Sequence, residues 1–242
     1  MKPRRHAACR NASLWSALAC LLCASALAAP ASRGAARNPA AATEAKTPPD
    51  DPKLPRVLLV GDSISIGYTP EVRALLAGRA NVHRIPENGA TVSNGLARID
   101  RWLGTNHWDV IHFNFGLHDL KIMSSGRRQV PVAEYEAALD AFVTRLQKTG
   151  AMMIWASTTP VPEGRLNPPR QPGEETAYNA AAQRVMAKHG IAINDLHALA
   201  LPRLRDWQLN ANVHFTPQGY EALAGQTARS IEAALLKRRA VH

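Results

Sequence analysis

Four short segments of this 242-residue chain concentrate side chains able to do chemistry. They are Gly61-Asp62-Ser63, Asn88-Gly89-Ala90, Gly116-Leu117-His118-Asp119 and Asn212-Val213-His214-Phe215-Thr216-Pro217. The first follows Val57-Leu58-Leu59-Val60, an apolar run that meets a glycine, a carboxylate and a serine in succession. Such a run reads as a strand buried on both faces, ending in a tight turn that presents Ser63. A parallel α/β sheet places its ligand site outside the carboxyl ends of its strands, so Ser63 is a candidate nucleophile. A serine hydroxyl is weak until a neighbouring base activates it, and the oxyanion it creates needs preorganised donors. In isolation, Ser63 is also what a plain helix-entry turn would display.

The elements around these segments alternate. Strands are expected at Val57–Val60, Asn81–Ile85, Asp109–Phe115, Ala151–Ala156 and Ile191–Asn194. Between them, helical spacing of apolar residues marks helices. One opens at Thr69-Pro70 and carries Val72, Leu75 and Leu76. A second is capped by Ser93 and carries Leu96, Ile99, Trp102 and Leu103. A third runs from Pro131 to Gly150, and a fourth from Glu174 to His189. A short helix follows at Leu196–Leu204, and Thr216-Pro217 opens the last, which reaches Lys237. Short, continuously apolar strands alternating with helices imply a three-layer α/β/α sandwich on a five-stranded parallel sheet, doubly wound by right-handed crossovers. The segment Ser157–Gly173 holds five prolines and reads as a long irregular loop, and loops of this length are often functional.

On the Gly61-Asp62-Ser63 block and the terminal His214-Phe215-Thr216-Pro217-Gln218-Gly219-Tyr220, the chain resembles the SGNH hydrolases of the GDSL esterase/lipase group. The resemblance runs from about Arg56 to Leu235. It implies that Ser63 is the nucleophile, His214 the general base, and that Ser63, Gly89 and His118 supply oxyanion donors. Two departures stand out. His118 occupies the place of the family's asparagine, so its donor role depends on tautomer, with Asp119 able to hold the ring. Ala211 stands three residues before His214, where the family has an aspartate that orients the imidazole. In serine-protease triads the loss of that role costs about 10⁴ in turnover. A backbone carbonyl, Asn210 or Asp195 is expected to orient His214 instead. Asp62 and Asn88 read as supporting turn residues. His118 could alternatively be structural, and Trp207 could either shape a sugar pocket or simply pack.

No cofactor is implied by this chemistry, and no metal. His112, His118 and Asp119 lack compact ligand spacing, and His112 reads as a core histidine. At its amino end the chain carries Lys2, Arg4, Arg5 and Arg10, then an apolar run from Leu14 to Ala28 ending Ala26-Leu27-Ala28. That pattern is a cleavable signal peptide, residues 1–28, with a run of about 15 residues, short of the roughly 20 that span a bilayer. The expectation is a secreted or periplasmic protein with no stable membrane insertion after cleavage. Residues 29–55, rich in Ala, Pro and Thr, read as a disordered linker, and residues 56–242 as the esterase domain. All three cysteines, Cys9, Cys20 and Cys23, fall in the leader, so the mature chain has no disulfide. Cleavage also removes four positive charges from a formal +10. The remaining basic residues are scattered rather than interleaved with aromatics on one face, which argues against nucleic acid.

The chain is therefore expected to hydrolyse small acyl esters, O-acetyl groups above all, on a small molecule or glycan. A lysophospholipase or thioesterase would want an apolar acyl groove, which the polar Ser157–Gly173 loop does not suggest. A non-catalytic binding protein retaining the fold is the alternative that Ala211 leaves open.

Overall fold

The computed structural model describes residues 49–240. The expected signal peptide and most of the expected linker lie outside the described residues. The elements run β1 (Arg56–Val60), α1 (Ser63–Leu75), β2 (Asn81–Arg84), α2 (Val92–Leu103), β3 (Val110–Phe113), α3 (Val132–Gln147) and β4 (Met152–Ala156). They continue with α4 (Glu175–His189), β5 (Ala192–Asn194), α5 (Leu196–Ala200), a 3-10 turn (Leu201–Arg203), α6 (Leu204–Trp207) and α7 (Pro217–Arg239). All five strands are parallel, in the order β2-β1-β3-β4-β5. Helices α1 and α7 pack together on one face, and α2, α3 and α4 form the layer on the other.

This order creates the site. The chain leaves β1 through α1 for β2 on one side, then returns through α2 to β3 on the other side of β1. The reversal opens a crevice beyond the carboxyl ends of β1 and β3, where doubly wound sheets bind ligands. The strands hold that crevice rigidly. Val57, Leu59, Val60, Val110, Ile111, Phe113, Ile154 and Trp155 are all fully buried, each contributing about 1.5–3 kcal/mol of apolar burial.

Several boundaries differ from the sequence expectation for local reasons. Helix α1 begins at Ser63 rather than Thr69, because the Asp62 side chain caps it by accepting from the Ile64 amide at 2.9 Å. Pro70 consequently lies inside the helix, forgoing one hydrogen bond. Leu75 is 42% exposed, so the core face of α1 is Ile64, Tyr68 and Val72. Thr91, not Ser93, caps α2, accepting from the Asn94 amide at 3.2 Å. Pro202 divides the expected Leu196–Leu204 helix. Ordered packing also begins before Arg56: Asp50 pairs with Arg56 at 2.8 Å and with His83 at 2.7 Å, and Asn81 donates to the carbonyls of Asp51 and Leu54 at 2.8 and 3.1 Å.

Candidate active site

Ser63 is the first residue of α1, directly after β1. Its amide lies in the first helical turn, where N–H groups have no intrahelical acceptor and the helix dipole is positive. Asp62 is 1% exposed; Oδ1 caps the helix and Oδ2 has no hydrogen-bond partner. The turn is clamped by a residue the sequence reading missed. Arg84, at the end of β2, donates through Nη2 to the Gly61 carbonyl at 3.0 Å and through Nη1 to the carbonyls of Ile85 and Glu87 at 2.7 and 3.0 Å. One guanidinium therefore ties the nucleophile turn to the loop after β2. The alternation of His83 and Arg84 beside a glycine turn carried no recognisable signal in sequence.

His214 comes from a tight reversal that leads into α7. Gln208 and Phe215 form an antiparallel bridge, and the Leu209 amide donates to the His214 carbonyl at 2.9 Å. Thr216 caps α7 by accepting from Gly219 at 3.2 Å. The reversal points Nε2 of His214 at Ser63 Oγ, 2.8 Å away. On its far side, Nδ1 meets Asn212 Oδ1 at 2.7 Å. The same Oδ1 accepts from the His214 backbone amide at 3.0 Å. A backbone N–H can only donate, so the atom it faces is the amide oxygen, and the ring nitrogen beside that oxygen must carry the proton. Nε2 is left with its lone pair directed at the serine hydroxyl.

This corrects the expected orienter. Asn210 is exposed and makes no hydrogen bond to the ring, and Asp195 instead caps α5 and accepts from Ser157 at 2.7 Å. Ala211, where an aspartate was looked for, adopts φ 46° and sets its Cβ against Gly164 of the long loop. The signal that would have found Asn212 is local: an Asn side chain readily accepts from the amide two residues on.

The third segment places His118 beside this pair. Its Nδ1 lies 2.9 Å from Lys121 Nζ, and an ammonium has only protons to offer, so Nδ1 is the acceptor and Nε2 bears the proton. Burial, reinforced by the charges of Lys121, Arg170 and His214, lowers the His118 pKa to about 4. His118 is thus a neutral imidazole with an Nε2–H donor. Lys121 fixes that tautomer, not Asp119 as the sequence suggested. Asp119 turns inward to accept from the Val92 amide at 3.0 Å, and burial pushes its pKa up to about 7. Burial also lowers the pKa of His214, with Asp62 opposing and Arg170 assisting.

Gly89 departs from its expected role. Its amide donates to the Gly61 carbonyl at 2.9 Å, and a Cβ at this position would sit 2.9 Å from the same oxygen. Gly89 is a close-approach glycine whose N–H is already committed. Asn88 accepts from the Ala90 amide at 2.9 Å and supports the turn in which Ala90 takes φ 56°. His112 is fully buried in β3, accepts from Asn194 at 3.0 Å and has its pKa lowered to about 4 by burial. Among the described residues no group of three or more His, Cys, Asp or Glu is placed to hold a metal ion. Arg203 stacks over Trp207, 5.3 Å from the ring centre. A cleft of about 730 Å³ opens beside these residues, lined by Leu201, Leu204, Leu209 and Ala211 together with Arg203 and Asn210, among others. Neither Ser63 nor His214 lines it, but Ala211 adjoins Asn212.

A serine at the switch point of a parallel sheet, hydrogen-bonded to a histidine with its proton on the far nitrogen, defines the α/β class of serine hydrolases. The comparisons with known proteins agree. Residues 59–222 match the GDSL-like lipase/acylhydrolase family, and the chain belongs to that family of ester-hydrolysing SGNH enzymes. A lipase/acylhydrolase from Enterococcus faecalis superposes with a TM-score of 0.64 at 23% identity, covering 74% of this chain and 96% of that one. An acetylxylan esterase from Geobacillus stearothermophilus gives 0.61 at 18% identity, covering 73% and 94%. A further acetyl xylan esterase gives 0.63 at 17%, covering 73% and 99%. At these identities the likeness is one of fold. No curated protein sequence matched.

Proposed function

We propose that this chain is an exported esterase that removes small acyl groups, O-acetyl above all, from a carbohydrate, with Ser63 as nucleophile and His214 as general base. The observation that carries the mechanism is the Asn212–His214–Ser63 relay, 2.7 and 2.8 Å long. Ser63 Oγ attacks the ester carbonyl carbon while Nε2 takes its proton. The oxyanion receives the Ser63 amide and the Nε2–H of His118. Collapse expels the alkoxide, which takes the proton from His214. Water, deprotonated by the same nitrogen, then releases the acid and restores Ser63.

Support for a carbohydrate comes from the two acetylxylan esterases among the structural neighbours. Export is supported by the basic, then apolar, amino end with its Ala26-Leu27-Ala28 site. The test is hydrolysis of 4-nitrophenyl acetate and acetate release from acetylated xylan by residues 29–242. Ser63→Ala and His214→Ala should abolish both. Activity persisting in Ser63→Ala overturns the mechanism, and faster turnover of long-chain than acetyl esters overturns the acyl assignment.

A further inference from the structure

Two cations lie near the candidate site, and among the described residues neither makes a direct ion pair. Arg170, from the long loop after β4, is 9% exposed. Its Nε donates to the Leu117 carbonyl at 2.7 Å and Nη1 to the Pro168 carbonyl at 3.2 Å. Lys121 donates to His118 Nδ1 at 2.9 Å. The Ile122 amide donates to the Pro169 carbonyl at 2.9 Å, so the segments bearing the two cations run against each other. Among the described residues neither cation is in an ion pair with a carboxylate, whereas Arg56, Arg98, Arg128, Arg184 and Arg238 all are. Each of the two bends toward the residues that hold His118.

Burying positive charge without a partner is costly. Carbonyl oxygens offset part of it for Arg170, but Nη2 keeps an open donor. Lys121 also suffers: burial, then the charge of Arg170, lowers its proton affinity. Buried carboxylates act on them only through space: Asp62 on both and Asp119 on Lys121, with no direct ion pair to either among the described residues. Two like charges held close together are stabilised when an anion enters between them. A planar guanidinium with a free edge suits an oxyacid group.

Resting on the esterase reading, we infer that Arg170 and Lys121 form a subsite for an anionic oxyacid group, a carboxylate or a sulfate, carried by the alcohol part of the ester. The preferred substrate is then an acylated acidic sugar rather than a neutral one. Lys121 has a second duty, holding the His118 tautomer, so Arg170 is the residue whose removal separates the two effects.

The test compares three esters: the O-acetylated methyl glycosides of glucuronic acid, of glucose 6-sulfate and of glucose. The intact protein should hydrolyse one of the two anionic esters with kcat/KM about tenfold or more above the neutral one, as a charge-assisted contact allows, and the advantage should shrink with added salt. Which anion leads identifies the source. In Arg170→Gln the anionic-to-neutral ratio should fall toward one, and in Arg170→Lys it should partly return. A ratio near one in the intact protein overturns the inference, as does an equal loss on all three esters in Arg170→Gln, which would make Arg170 an oxyanion stabiliser. A readout without turnover separates this from failure of the esterase reading: methyl glucuronide or glucose 6-sulfate, but not methyl glucoside, should perturb NMR signals of Ser63→Ala at lower concentration. Anion binding with no ester hydrolysed would overturn the proposed function alone. Neutral ester hydrolysis with no anion effect in either assay would overturn the subsite alone.

Discussion

Replacing Asn212 by aspartate tests how this chain does without the usual carboxylate. The loss of about 10⁴ on Asp→Asn replacement in serine-protease triads comes from the wrong histidine tautomer. Here that penalty does not arise, because the His214 amide turns the Asn212 oxygen toward Nδ1. What is missing is charge: a neutral oxygen stabilises the developing imidazolium less than a carboxylate would. A neutral hydrogen bond contributes about 1 kcal/mol net and one to a charged group about 1.5–3. The gain expected from Asn212→Asp is therefore about 0.5–2 kcal/mol, or about 2–30-fold in kcat at about 1.4 kcal/mol per decade. Asn212 is exposed, so solvent screening sets the expectation at the lower end, about twofold to threefold. The pH profile carries the second readout. His214 must be neutral to accept a proton, and burial holds its pKa below the ordinary 6.5, so the acid limb of kcat/KM should fall below that value in the intact protein. In Asn212→Asp the limb should move up by about half a unit. Asn212→Ala frees the ring and should lose about tenfold or more. Stopped-flow or steady-state hydrolysis of 4-nitrophenyl acetate between pH 4 and 9 checks all three. An unchanged limb and kcat in Asn212→Asp, or full activity in Asn212→Ala, would refute the argument that Asn212 orients the ring.

Three further outcomes follow from the packing around the site. His118→Leu, which removes the Nε2–H donor, should lower kcat by about 10²–10³ with little change in KM, and His118→Asn should restore most of it; equal activity in all three proteins would remove His118 from the oxyanion site. Arg84→Met should cost about 2–4 kcal/mol, since the carbonyls of Gly61, Ile85 and Glu87 lose their charged donor together, and urea unfolding with the rate on 4-nitrophenyl acetate should both register it. Gly67→Ala should destabilise by about 1–3 kcal/mol, because a Cβ there would lie 2.1 Å from the Tyr220 ring and force α1 from α7; an unchanged melting temperature would show that the ring can move aside.

Much of this was open to reading in the residues themselves. Val57–Val60 is wholly apolar and Asp109–Phe115 nearly so, as buried parallel strands are, and the alternation of strands with helices left a doubly wound sandwich as the economical arrangement. Ser63 and His214 stand out because a nucleophile turn and a capped helix entry each leave a local signature. Helix starts are harder to read: Thr69-Pro70 is a good opening in isolation, but the Asp62 cap seven residues earlier prevails once strand and helix are joined.

By itself, then, the chain determined its strands, their burial and the two residues of its Ser63–His214 pair, since these depend on patterns a few residues long. Only the tertiary structure decided which groups surround the pair. Lys121 reaches His118, Asn212 turns under His214, Arg84 gathers the carbonyls after β1 and β2, and the Gly89 amide is spent on Gly61. Each of these depends on the direction of a hydrogen bond across a turn or between strands. Such directions are set by how the sheet brings the loops together, and no spacing along the chain encodes them.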